Sequence, residues 1–172
     1  MEKRLKKGEA LEILEKSGCS KQVIEHCKAV SKRAAEIAEK IKARGHEIDP
    51  GFVETAGLLH DIGRSRTHDI QHGIEGAKIL SDYPEYARVC ERHIGGGIDE
   101  KEARRLGLPP ADYLPETIEE KVIAHADNTI EGAEVTAIED TIKAYEKKFG
   151  RSHPATKRVV ELSEEIKKLS EE

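Results

Sequence analysis

Apolar residues recur at steps of three and four along nearly the whole chain, and no stretch alternates as a half-buried strand would. The pattern predicts a short helix over 8–17 that Gly18 ends. A long helix follows from about Ser20 to Arg44, stopped by Gly45, with Val23, Cys27, Val30, Ala34, Ile37, Ala38 and Ile41 on one stripe. Pro50 suits the first turn of a third helix carrying Phe52, Val53, Ala56 and Leu59. Residues 62–71 read as a polar turn. A fourth helix starts near His72, and Pro84 opens a fifth that the run Gly95-Gly96-Gly97 ends.

Residues 98–115 hold one short helix and a Pro-containing connection. Thr117 with Glu120 fits a capping box for a helix through Asn128, and Thr136 with Glu139 fits a second box. Pro154 opens the last helix, with Val159, Leu162, Ile166 and Leu169 on one stripe; that stripe could face the domain's own core or a second copy in a homodimer. The expectation is an all-α, single-domain helical bundle over 1–172. Its two C-terminal helices, about 136–170, read as packing elements without chemistry.

Composition narrows the function classes. The 172 residues are 37% charged with a net charge of −5 and no basic block to follow a phosphate backbone. Aromatics are 3% and Trp is absent, so stacking on successive bases is not the expected grip. A nucleic-acid polymer is therefore disfavoured as partner, and a nucleotide-sized substrate is not. No apolar run approaches the roughly 20 residues of a membrane span, and the basic N-terminus has no apolar core of a signal peptide. Cys19, Cys27 and Cys90 form no CxxC and read as reduced thiols of a cytoplasmic protein. The charge content, with only two Gln, leans toward heat adaptation.

Eight histidines stand out against this background. His26 borders the stripe of the long helix. His60 follows Leu58 and Leu59 and lies four after Ala56. His72 lies four before Gly76, His93 three after Cys90, and Asp127 four after Ile123. Five helices or helix ends thus aim an imidazole or carboxylate toward one interior. A single such group is usually a satisfied core residue. Five together are explained jointly by a metal centre, since His nitrogen and Asp oxygen are ligands of borderline-to-hard divalent ions. At a helix end the adjacent pair His60-Asp61 can converge on one ion.

The ordered set His26, His60-Asp61 and Asp127, in the contexts LLHDIGR at 58–64 and AHADN at 124–128, resembles the HD superfamily of metal-dependent phosphohydrolases over roughly residues 20–130. HGIEGAKIL at 72–80 and ERHIGGG at 91–97 resemble the segments that add two histidines in its dinuclear members. The resemblance implies a metal-ligand set of His26, His60, Asp61, His72, His93 and Asp127, with Asp61 bridging two ions. It implies one or two divalent transition-metal ions (Mn, Fe, Co, Ni or Zn) and hydrolysis of a small phosphorylated substrate, such as a nucleotide, by a metal-activated water. Asp61 and Arg64 are the implied catalytic residues. Arg64 is also a substrate-binding candidate, because a guanidinium suits bidentate phosphate contact.

The short turn of residues 62–71 brings His68 near the site, as ligand or substrate contact in place of His72. Gly95 and Gly96 could let backbone amides approach a phosphate, or could simply stop a helix. His125 reads as either adjacent to the site or exposed; His46 and His153 read as surface residues. Two alternatives use the same ligands: a di-iron oxygenase, and a nucleotide- or metal-binding signalling module with little turnover.

Overall fold

The protein is described here by a computed structural model covering residues 3–171. Its elements follow the order α1 (Lys7–Lys16), α2 (Lys21–Ala43), α3 (Pro50–Leu59), a 3-10 turn (Ile62–Ser65), α4 (His72–Ile79), α5 (Pro84–Arg92), α6 (Glu100–Arg105) and α7 (Ile118–Asn128). A two-stranded hairpin, β1 (Ile130–Glu131) and β2 (Glu134–Val135), precedes α8 (Ile138–Phe149) and α9 (Pro154–Glu171). Capping chemistry starts the helices: the Ser20 hydroxyl accepts from Val23 N–H, the Asp49 carboxylate from Phe52 N–H and the Thr117 hydroxyl from Glu120 N–H. Among the described residues, no helix is long and apolar enough to cross a membrane.

Helix α3 is the axis of the bundle. Seven of its ten residues are buried, including Val53, Ala56, Leu58 and Leu59. Each fully buried Leu or Val contributes roughly 1.5–3 kcal/mol. Helix α2 packs along it, closely enough that a Cβ on Gly57 would lie 2.9 Å from the Ser31 Cα. The Ser31 hydroxyl donates to the Glu54 carbonyl across the same contact. The metal-candidate pair His60-Asp61 is therefore carried at the end of a largely buried helix, where α3 turns into the 3-10 helix.

A dense contact places the next two histidines. A Cβ on Gly63 would lie 1.8 Å from the His72 carbonyl oxygen and 2.5 Å from Gly76 N. One on Gly73 would lie 2.8 Å from the Cys90 carbonyl, and one on Gly76 3.1 Å from the Cys90 side chain. These glycines let the 3-10 turn, α4 and α5 approach backbone to backbone, which swings His72 and His93 in against Asp61.

Three expectations change. Thr136 does not cap α8: its N–H bonds the Thr129 carbonyl in the hairpin, and Ala137 occupies the cap position without a side-chain bond. The box at Thr117 is half formed, because the Glu120 carboxylate is buried and bonds Arg92 and Glu116 N–H instead of its own cap. Of the last two helices, α9 buries Val159, Leu162 and Ile166 in the domain, so its stripe faces inward. Helix α8 buries no residue and lies over the mouth of the candidate site.

Candidate metal centre

Four imidazoles and two carboxylates meet at the buried end of α3. His26 Nε2 lies 2.9 Å from Asp127 Oδ1 and 3.7 Å from Asp61 Oδ2. His60 Nε2 lies 3.4 Å from Asp127 Oδ1 and 4.0 Å from Asp61 Oδ2. On the other side, Asp61 Oδ1 lies 3.2 Å from His72 Nε2 and 3.3 Å from His93 Nε2, and those two nitrogens are 3.2 Å apart. Asp61 thus offers one oxygen to each half of the cluster.

The proton arrangement matters more than the distances. Every one of the four rings has its Nδ1 at 2.7 Å from a backbone carbonyl: His26 to Gly132, His60 to Gly57, His72 to Asp69 and His93 to Cys90. A carbonyl can only accept, so each Nδ1 donates, and in the neutral ring Nε2 is left as a lone pair. The interior then contains lone pairs facing lone pairs and carboxylate oxygens, with His60 Nε2 and Asp61 Oδ1 fully buried and unpartnered. Such a cluster requires either extra protons or cations. Outer carbonyls fixing the ring tautomer are the usual support of metal-ligating histidines. Neighbouring ligands on an ion with bonds of about 2.1 Å lie roughly 3.0–3.4 Å apart, from octahedral to tetrahedral angles. The shorter spacings match. The six residues could therefore hold one or two divalent ions.

Without cations, protons carry the compensation. Burial works against a charged His60, but the carboxylates of Asp61 and Asp127 outweigh it and push its pKa to about 9. Burial likewise opposes ionisation of Asp61 and Asp127, and the surrounding imidazoles overcome it, holding both carboxyls far below the ordinary range. Burial pushes His93 down, against the pull of Asp61.

The other sequence candidates separate clearly. Arg64 is half-buried at the mouth; its Nε donates to Asp61 Oδ2 at 2.9 Å and its Nη1 to the His68 carbonyl. The His68 ring is exposed and stands outside the cluster; its backbone serves Arg64. Gly95 and Gly96 pack tightly, Gly95 under the Tyr145 hydroxyl and Gly96 against the Arg158 backbone. Arg66 is exposed and pairs with Glu75. His46 is exposed, whereas His153 is half-buried and stacks on Phe149.

Two contributors escaped the helical periodicity. The hairpin turn supplies the Gly132 carbonyl that orients His26; a Gly-Ala pair between Ile-Glu and Glu-Val is its sequence signal. Helix α8 brings Asp140, Thr141 and Ala144 to the mouth, a cavity of about 380 Å³ that also exposes His26, Asp61, Arg64 and Asp127.

His125 lies on the opposite face of α7, beside Arg33. Burial and the Arg33 charge lower its pKa to about 4. Folded His125 is then neutral where the unfolded chain, near 6.5, begins to protonate. Its contribution is complete above pH 6.5 and is lost as pH falls toward 4, on the order of 3 kcal/mol at most. His125→Gln is expected to flatten that acid limb. Urea unfolding at pH 7 and pH 4.5 checks it: an equal loss in both chains removes His125 as the cause.

Comparison with known proteins gives the family. The HD domain family matches residues 23–131. An uncharacterized protein of Methanocaldococcus jannaschii is 53% identical over 93% of this chain and 96% of its own. A tRNA (cytidine(56)-2′-O)-methyltransferase of Picrophilus torridus is 38% identical over 94% of this chain, which spans only 46% of that protein. The HD domain of the L. monocytogenes phosphodiesterase PgpH, solved in complex with cyclic-di-AMP, superposes with a TM-score of 0.53 at 17% identity, covering 95% of this chain and 97% of that one. The chain belongs to the HD domain family.

Proposed function

We propose that this protein is a metal-dependent phosphohydrolase that cleaves a nucleotide-type phosphodiester, with His26, His60 and Asp127 holding one ion, His72 and His93 a second, and Asp61 bridging. The observation that carries the reading is the inward-facing lone-pair cluster with every Nδ1 tied to a carbonyl. Family membership supports hydrolysis, and the PgpH neighbour, a phosphodiesterase whose bound ligand is cyclic-di-AMP, supports the phosphodiester class. When bound, divalent ions supply a water acidic enough to be hydroxide near neutral pH and draw charge from the phosphoryl oxygens.

The chain's residues do the rest. The carbonyl-tied rings keep their Nε2 atoms aimed inward without reorganisation. Arg64, held by Asp61 and the His68 carbonyl, keeps its Nη2 free of protein hydrogen bonds among the described residues. That group is the donor available to a phosphoryl oxygen at the mouth.

Metal analysis of protein purified without chelator, paired with a panel of phosphomonoesters and phosphodiesters run with and without oxygen, tests the reading. Two ions per chain are expected, falling to about one in His93→Ala, with oxygen-independent phosphodiester hydrolysis that His60→Ala abolishes. Failure to hydrolyse any panel member when metal-loaded, with His60→Ala behaving as the parent, overturns it. Oxygen-dependent turnover would assign the same ligands to an oxygenase.

A further inference from the structure

Beside the metal centre lies a second cavity of about 380 Å³, within the roughly 300–1,000 Å³ of small-molecule pockets. Its walls are mostly apolar: Ile70, Ile94, Ile98, Leu106, Tyr145 and Phe149. The two cavities share a partition. Asn128, which lines the mouth of the metal centre, donates its side-chain amide to the Gly95 carbonyl, and Gly95 lines the second cavity. The Tyr145 hydroxyl covers Gly95 so closely that a Cβ there would lie 2.4 Å from it.

Three observations select an occupant. First, the sparse aromatics are not all in the core: Tyr145, Phe149 and His153 form a continuous series, with ring centroids 5.6 Å and 5.0 Å apart, and Phe149 is left 41% exposed. Second, the Tyr145 hydroxyl has no hydrogen-bond partner among the described residues and stands at the partition, against Gly95. Third, Arg105 and Lys148 line the cavity with no anionic partner among the described residues, Lys148 resting its ammonium over the Phe149 ring 5.1 Å from the centroid, while the Glu102 carboxylate is already held by Arg158. Together, an aromatic wall, an unpartnered hydroxyl and two cations without anionic partners, one partition from the candidate metal centre, match a flat heteroaromatic ring joined to phosphate. A purely lipidic or aliphatic ligand would leave the hydroxyl and the cations unused.

We propose that this cavity binds the base of a nucleotide substrate: the base stacks on Phe149 in place of the Lys148 ammonium, the Tyr145 hydroxyl bonds its edge, and Arg105 and the released Lys148 meet an adjoining phosphate. The proposal rests on the phosphohydrolase reading and narrows it to base-bearing phosphodiesters.

Equilibrium binding to the metal-loaded chain tests it without requiring turnover, using AMP, ribose 5-phosphate and adenosine as probes. AMP is expected to bind at least about tenfold more tightly than ribose 5-phosphate, the scale of one stacked base. Phe149→Ala, which removes the stacking face at a half-exposed position, and Ala155→Leu, which fills the cavity, should each erase most of that preference. Ribose 5-phosphate affinity should stay within about twofold of the parent. Equal affinities in the parent, or an undiminished preference in both variants, overturns the proposal. So does a change only in sedimentation mass, which would make Leu106 and Phe149 a contact between copies. Adenosine binding that depends on Phe149 would sustain the pocket even if no phosphoester were hydrolysed, so the two readings fail separately.

Discussion

Asp61→Asn is expected to lose phosphodiester hydrolysis by on the order of 10³-fold or more, about 4 kcal/mol of transition-state stabilisation. The purified variant should also bind less metal in both halves of the centre. The reason is geometric. Asp61 is the residue that faces both histidine sets, Oδ2 toward His26 and His60 and Oδ1 toward His72 and His93. The amide keeps the shape but removes the charge and replaces one acceptor by a donor. Near-equal loss of both ions is the signature of a bridge. His93→Ala, by contrast, should empty one half first. Elemental analysis and steady-state rates on the two variants, with far-ultraviolet dichroism confirming the fold, separate these patterns. An Asp61→Asn chain with full metal content and parental rate would remove Asp61 from the centre.

Removing the metals by chelation should also lower the thermal midpoint, because ions that bind only the folded chain stabilise it by mass action. In the metal-free chain, Asp61 and Asp127 raise the His60 pKa to about 9, so a proton on that ring offsets part of the charge the ions would otherwise balance.

Much of this site is legible in the sequence because helical period converts spacing into direction. His26 beside the Cys27–Val30 stripe, His93 three after Cys90 and Asp127 four after Ile123 can only point inward once those stripes are buried, as they are. His72 took the inward position and His68 did not, for a reason outside helical period: the His72 ring is fixed by the Asp69 carbonyl and its backbone by the close approach of Gly63. The hairpin was illegible for a related reason. Two-residue strands are too short to show alternation, and Thr136 with Glu139 mimics a cap where the Thr136 N–H has a better partner in the Thr129 carbonyl. Helix α8 has an apolar series like any packing helix. Only the fold shows that Tyr145 and Phe149 lie against cavities and not in the core.

Gly63→Ala carries the second large expected effect, and it acts at the junction of fold and chemistry. Gly63 has an ordinary negative φ, so alanine would meet no backbone strain there. The obstacle is contact: its Cβ would lie 1.8 Å from the His72 carbonyl oxygen and 2.5 Å from Gly76 N, both backbone atoms that cannot rotate away. The 3-10 turn and α4 must separate, at a cost of about 3 kcal/mol or more, at or beyond the upper end of overpacking penalties. Separation carries His72 away from Asp61 and His93, so the His72–His93 half should lose its ion while His26, His60 and Asp127 keep theirs. Gly76→Ala is the matched comparison. Its Cβ would meet the Cys90 Cβ and Sγ at 3.1 Å and Gly63 N at 3.3 Å, contacts that a shift of a few tenths of an ångström accommodates. The expected outcome is a large loss of thermal stability with half the metal for Gly63→Ala, and a small loss with full metal for Gly76→Ala. If Gly63→Ala retains the parental melting temperature and both ions, the backbone contact does not hold His72 in place, and His72 must owe its position to the Asp69 carbonyl alone.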